Sequence, residues 1–214
     1  KHTFIYQWSA SKLGNDRLIL TDCDGVLLDW ETHFHDYMKS QGHERAYGVE
    51  RASSYWKERE YPGLSQAEAR KAVYHYNTSA WMLGLPPYKD ARSGVATLVE
   101  AGYRFVAITA MGLDPYAKQA REINLERVFG YDVFEDVITT DMYDPDSKRK
   151  WLEHLGEPEL PWIEDKPSNA ELGAELGLRS FLMLHPHNED YQPINKIESV
   201  NSWVELCDIL LDTN

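Results

Sequence analysis

Cysteine is scarce in this chain: Cys23 and Cys207 are the two in 214 residues. Two thiols make no disulfide framework, so a reducing cytosol is the expected setting. No apolar run approaches the ~18 residues of a transmembrane helix, and no membrane partner is expected. The opening residues, Lys1-His2-Thr3-Phe4, lack the apolar stretch of a signal peptide, so the expected location is cytoplasmic. Basic residues are in the minority. Twenty-two Lys and Arg face 35 Asp and Glu, a formal net charge of −13. Such a field repels phosphate backbones and argues against a nucleic acid polymer as partner. It still permits a small anionic substrate, because a metal ion and a lysine reverse the sign locally inside a pocket. Internal repeats and low-complexity tracts are also absent.

What is present is ordinary globular composition, 43% hydrophobic and 27% charged. The length suits one α/β domain, or a core with a modest insertion. Short apolar runs read as buried parallel strands: Arg17 to Thr21, Arg104 to Thr109, Asp136 to Thr139, Pro161 to Glu164 and Ser180 to Leu184. Helical patterns alternate with them, over Ala91–Ala101, Pro115–Glu122, Ser147–Leu155, Ser168–Leu176 and Ser202–Leu211. Strand alternating with helix predicts a Rossmann-like, doubly wound parallel sheet covered on both faces. Ligands of such sheets bind at the carboxyl ends of the strands.

One stretch breaks the alternation. Leu28 to roughly Lys89 is too long for a structureless loop in a compact domain. Helical patterns near Thr32–Gln41, Arg45–Arg59 and Ser65–Leu83 predict a small α-helical cap over 29–87, with 1–28 and 88–214 forming the core. The alternative is a set of extra helices packed on the sheet with no role in access.

The chemistry is concentrated in Asp22-Cys23-Asp24-Gly25-Val26, directly after the first strand. In extended chain, residues i and i+2 project to one side, so two carboxylates converge at the strand end. Gly25 lets the backbone turn sharply beyond them. Carboxylates at close range repel; a divalent cation relieves one, and the other can carry a proton for acid/base work. Asp-x-Asp-Gly also occurs in calcium loops, but Asp29 and Trp30 fall out of register with the further ligands such a loop needs.

Four motifs in order resemble the haloacid-dehalogenase-like (HAD) hydrolase superfamily. They are Leu18 to Val26; Phe105 to Thr109, a strand ending in a hydroxyl; Lys148, opening a helix after Asp146-Ser147; and Trp162-Ile163-Glu164-Asp165, a strand ending in acids. The resemblance implies that Asp22 attacks phosphorus to form an aspartyl-phosphate. It gives Asp24 the role of general acid and then general base. Thr109 and the backbone N–H of Ala110 would hold phosphoryl oxygens, and Lys148 would neutralise charge. Mg2+ would sit on Asp22, the Asp24 carbonyl and Asp165. Many members carry another acid where this chain has Asn169, so either Glu164 or Asn169 would complete the metal's surroundings. Each position also has a plainer use. Thr109 would equally cap a helix, Lys148 sit in solvent, and Glu164 and Asp165 be loop acids.

Within that superfamily, members that attack carbon do not need the second acid, so the resemblance with Asp24 present implies phosphate-ester chemistry. The implied partner is a small phosphorylated metabolite, a nucleotide or sugar phosphate among them. The run Asp24 to Glu31 resembles that of 5′-deoxyribonucleotidases in the same superfamily. Candidate substrate contacts in the cap are Trp30 and His33 first, then His35, Tyr37, Arg45, Tyr55, Trp56, Lys57 and Trp81. The rivals are a phosphotransferase or mutase of the same fold, a non-catalytic module that binds a phosphorylated ligand, and a polynucleotide-end phosphatase, which the net charge disfavours.

Overall fold

The computed structural model describes residues 17–46, 48 and 57–212. Six strands form one sheet: β1 Leu18–Thr21, β2 Arg104–Thr109, β3 Phe134–Thr139, β4 Pro161–Glu164, β5 Arg179–Met183 and β6 Ile197–Val200. Their spatial order is β3-β2-β1-β4-β5-β6, and every pairing is parallel. β1 therefore lies inside the sheet, where successive residues alternate between two apolar layers. Ile19, Phe105, Ala107 and Ile163 face one core; Leu18, Leu20, Val106, Ile108 and Trp162 face the other.

The helices are α1 Trp30–Ser40, α2 Lys57–Glu60, α3 Gln66–Asn77, α4 Ala91–Glu100, α5 Pro115–Phe129, α6 Arg149–Leu155, α7 Pro167–Glu175 and α8 Trp203–Asp212. None is long and apolar enough to cross a membrane, among the described residues. Helices α4 and α8 pack together, and the α8 residue Trp203 donates its indole N–H to the Val26 carbonyl at 2.8 Å. That bond ties the loop after β1 to the far end of the chain.

Between β1 and α4 the chain leaves the sheet and returns. Its outgoing and incoming crossings pair with each other. Leu28 bridges Pro87 in antiparallel sense, Asp29 N–H donates to the Pro86 carbonyl at 3.0 Å, and Tyr88 N–H donates to the Leu27 carbonyl at 2.9 Å. This two-stranded neck carries α1, α2, α3 and a 3-10 turn over Ala80–Leu83. Helix α3 begins at a reciprocal cap: Ser65 accepts from Glu68 N–H, and Glu68 accepts from Ser65 N–H. The aromatic rings of Trp30, Phe34, Tyr61 and Tyr76 pack together within the segment and join the same apolar core as Ile19, Val26 and Leu27.

Several expectations shift in detail. The pattern over Ser65–Leu83 divides, because Ser79 caps the short turn after α3 ends. α5 runs on to Phe129, beyond the expected Glu122. β6 had no counterpart in the pattern; it is a four-residue edge strand, IESV, in which only Val200 is buried. Most of the helix expected over Arg45–Arg59, with Tyr55 and Trp56, lies outside the described residues.

Candidate active site

The strand order reverses direction between β1 and β4, and a crevice forms there at the carboxyl ends. Asp22 follows β1, and Glu164 and Asp165 stand at the end of β4. Asp22 N–H donates to the Ile163 carbonyl at 2.9 Å, which extends the pairing of these two strands into the site. Thr109 ends β2, one strand away.

Asp22 is buried. Its Oδ1 accepts from Cys23 N–H at 2.8 Å and lies 3.0 Å from Lys148 Nζ. Burial raises its carboxyl to about 7, helped by the charges of Glu164 and Asp24 and opposed by Lys148. Burial together with Glu164 and Asp22 also raises Asp165. Two carboxyls pushed toward their protonated forms, side by side, mark a place where their ionised forms lack a balancing positive charge. The ligand oxygens of Asp22, Glu164 and Asp165 lie within 4.8 Å of one another. That oxygen-only donor set fits a hard divalent cation such as Mg2+.

Glu164 differs from its neighbours. It is fully buried, and its oxygens accept from Lys148 Nζ (2.6 Å), Asn169 Nδ2 (2.7 Å) and the backbone N–H groups of Asp165 (2.9 Å) and Lys166 (2.8 Å). Burial works against its charge, but Lys148 and these donors win and lower its carboxyl below the usual range. Its anion is spent on aligning Lys148 and the β4–α7 turn. Asn169 bonds Glu164 and lines the cavity. Lys148 precedes α6, a position that opposes the helix dipole. Burial disfavours its charge too, yet Asp22 and Glu164 raise its pKa.

The Thr109 hydroxyl is fully buried and has no hydrogen-bond partner among the described residues. A buried hydroxyl without a partner is costly unless a ligand supplies one. It lines the same cavity as Asp22, Asp24, Ala110 and Lys148.

Gly25 makes the crowding possible. It has φ +77°, and a Cβ there would stand 2.5 Å from Asp165 Oδ2. Its carbonyl accepts from His185 Nε2 at 2.8 Å. His185 is stacked on His187, and both rings are lowered in pKa by burial, His187 to about 4. Asn188 donates to the Asp165 carbonyl at 2.6 Å and so fixes the loop after β5 against the site.

Asp24 faces the cavity with a quarter of its side chain exposed and accepts from Arg121 Nη1 at 2.6 Å. Arg121 was not anticipated. Its sequence signal is faint: the buried positions of α5 are Ala117, Arg121, Asn124 and Leu125, a core-facing stripe with two polar members.

A cavity of about 390 Å³ runs from these groups to the inserted segment. Trp30, Arg45 and Lys57 line it, as do Glu31, Val73 and Asn77, which sequence reasoning passed over. Trp30 is held rigidly, with its indole N–H on Asn77 Oδ1 at 3.0 Å and its ring stacked on Phe34. His33 does not line the cavity. One helical turn position beyond Trp30, it bonds Tyr76 at 2.8 Å and packs on Trp81 inside the inserted segment. His35 likewise turns inward, to Tyr61. Lys57 lies between Glu31 (2.6 Å) and Glu60 (2.9 Å), and Arg45 Nη2 is 2.8 Å from Glu60, so these cations are already paired.

No protein-family description and no curated protein matches the chain. Solved structures do. A haloacid dehalogenase-like family hydrolase from Streptococcus pneumoniae superposes with a TM-score of 0.64 at 14% identity, covering 92% of this chain and 99% of that one. CbbY from Rhodobacter sphaeroides, in complex with phosphate, gives 0.58 at 19% identity over 89% and 96%. A putative beta-phosphoglucomutase from Thermotoga maritima gives 0.60 at 17% identity over 92% and 100%.

Proposed function

We propose, from the premise that this chain has the haloacid-dehalogenase-like fold, that it is a phosphatase acting on a small phosphomonoester. The observation that carries the reading is the buried Asp22–Lys148 contact at the point where the sheet reverses order, with Asp24 facing the same cavity. Lys148 and Cys23 N–H engage Oδ1 of Asp22, which leaves Oδ2 to attack phosphorus. A bond forms from that oxygen to phosphorus as the ester oxygen departs, giving an aspartyl-phosphate. Protonated Asp24 delivers its proton to the departing oxygen. As carboxylate it then takes a proton from water, which attacks phosphorus and frees Asp22 with release of phosphate. Thr109 donates its otherwise unpartnered hydroxyl to a phosphoryl oxygen, and Lys148 offsets the negative charge.

Asp22 and Asp165 are the side chains fitted to hold Mg2+, with the Asp24 carbonyl as the further ligand that the family resemblance implies. When bound, the ion would polarise the phosphoryl group and cancel repulsion between the anionic substrate and Asp22. The inserted segment, 29–87, serves as the cap whose Trp30 and Lys57 close the cavity over the ester.

Purified protein should hydrolyse p-nitrophenyl phosphate in the presence of Mg2+. Asp22→Asn should lower that rate by at least about 1000-fold while the protein still melts in one cooperative transition, since it deletes the nucleophile. Comparable activity in the variant would overturn the mechanism. Phosphoryl transfer to a second phosphorylated metabolite is the other fate open to the same intermediate, and the mutase-named structural neighbour favours including it. Adding acceptors to the assay and measuring phosphate against phosphorylated product separates the two.

A further inference from the structure

We propose that Arg121 is a positioning residue for this reaction, holding the Asp24 carboxylate in place from beneath. The inference rests on the reading of Asp24 as proton carrier. Arg121 projects from α5 with no exposed surface, and Nη1 reaches Asp24 Oδ1 at 2.6 Å. Its Nε and Nη2 are buried and have no hydrogen-bond partner among the described residues. A guanidinium satisfied at one nitrogen is a poor way to fill a core, where an apolar side chain of similar volume would serve better. Its presence is explained by what the single contact does.

Asp24 has no other side-chain bond among the described contacts, and it precedes the sharp turn at Gly25. Anchoring Oδ1 leaves Oδ2 as the oxygen that carries the proton. When the P–O ester bond breaks, the proton on Oδ2 passes to the departing oxygen and Asp24 gains a negative charge. Arg121 stays protonated throughout and faces that new charge at hydrogen-bond distance. Three residues along the same helix face, Asn124 donates to the carbonyls of Leu85 (3.0 Å) and Leu83 (3.4 Å), just before the neck. One rigid helix thus grips both the proton carrier and the root of the inserted segment.

A graded series of substituted phenyl phosphates tests the role. The p-nitrophenolate ion leaves without help, whereas phenolate needs a proton, so the dependence of kcat/KM on leaving-group basicity reports proton delivery. Asp24→Asn should steepen that dependence. Arg121→Met should steepen it too, losing about tenfold or more on phenyl phosphate beyond its loss on the p-nitrophenyl ester. Arg121→Lys should fall between Arg121→Met and the parent, because it restores the charge without the fork. A purely structural role would lower all substrates together. If Arg121→Met does not fold, Arg121→Lys decides alone. An unchanged slope in either folded Arg121 variant, beside a steepened slope in Asp24→Asn, overturns the proposal. An unchanged slope in Asp24→Asn overturns the reading of Asp24 instead.

Discussion

Gly25 and Asp165 come from opposite sides of the reversal point, and their contact sets how tightly the acids converge. The left-handed backbone at Gly25 and the 2.5 Å clearance to Asp165 both exclude a side chain. Gly25→Ala should therefore cost about 1–3 kcal/mol through backbone strain and push the Asp165 carboxylate outward. The expected readouts are a lower Tm and a raised Mg2+ concentration for half-maximal hydrolysis. At this scale the local pattern placed Asp22, Asp24, Thr109, Lys148 and Asp165 at strand ends or a helix start, and the fold gathers them around one cavity. It was silent about Arg121, His185 and Asn188, whose partners Asp24, Gly25 and Asp165 are distant in sequence. It also misplaced His33: helical spacing alone does not say whether a ring turns to the cavity or to Tyr76 and Trp81.

Among the elements, the parallel strands were the most readable, since strands buried on both faces must be apolar throughout. β6 escaped notice because an edge strand of four residues, half of them polar, has no such signature. The helices of the inserted segment owe their limits to caps more than to stripes. Ser65→Ala removes the reciprocal cap of α3 and should cost about 1 kcal/mol in chemical denaturation, while leaving kcat on p-nitrophenyl phosphate within about twofold, because Ser65 does not line the cavity that holds the acids. α6 shows the opposite economy. Lys148 stands unfavourably at its start, and the bonds from Asp22 and Glu164 hold it there.

For the whole molecule, an excess of negative charge surrounds a site that gathers still more. Asp22 and Asp165 are raised in the folded chain, Asp22 from 3.8 to about 7. The native state then keeps protons that the unfolded chain has shed, so stability without metal falls as pH rises from about 4 through about 7. Glu164, lowered by Lys148, acts the other way, its contribution vanishing only as pH drops below the ordinary carboxyl range. A divalent cation replaces those protons. The Tm increase caused by Mg2+ should thus be larger at pH 8 than at pH 5, by about 3 °C or more, near 1 kcal/mol at this size. Differential scanning fluorimetry with and without EDTA checks it; an equal shift at both pH values would contradict the metal assignment.

The neck has a consequence for how such a chain is assembled and rebuilt. Because Leu28 and Pro87 are already bridged, the ends of everything between them lie side by side. A turn of a few residues would span that gap. The inserted helices are in effect a cassette, joined to the sheet at this neck and resting on α5 through Asn124. Under the proposed role of this segment as a cap, exchanging the cassette changes which molecules reach Asp22, Asp24 and Asp165 while leaving those acids in place.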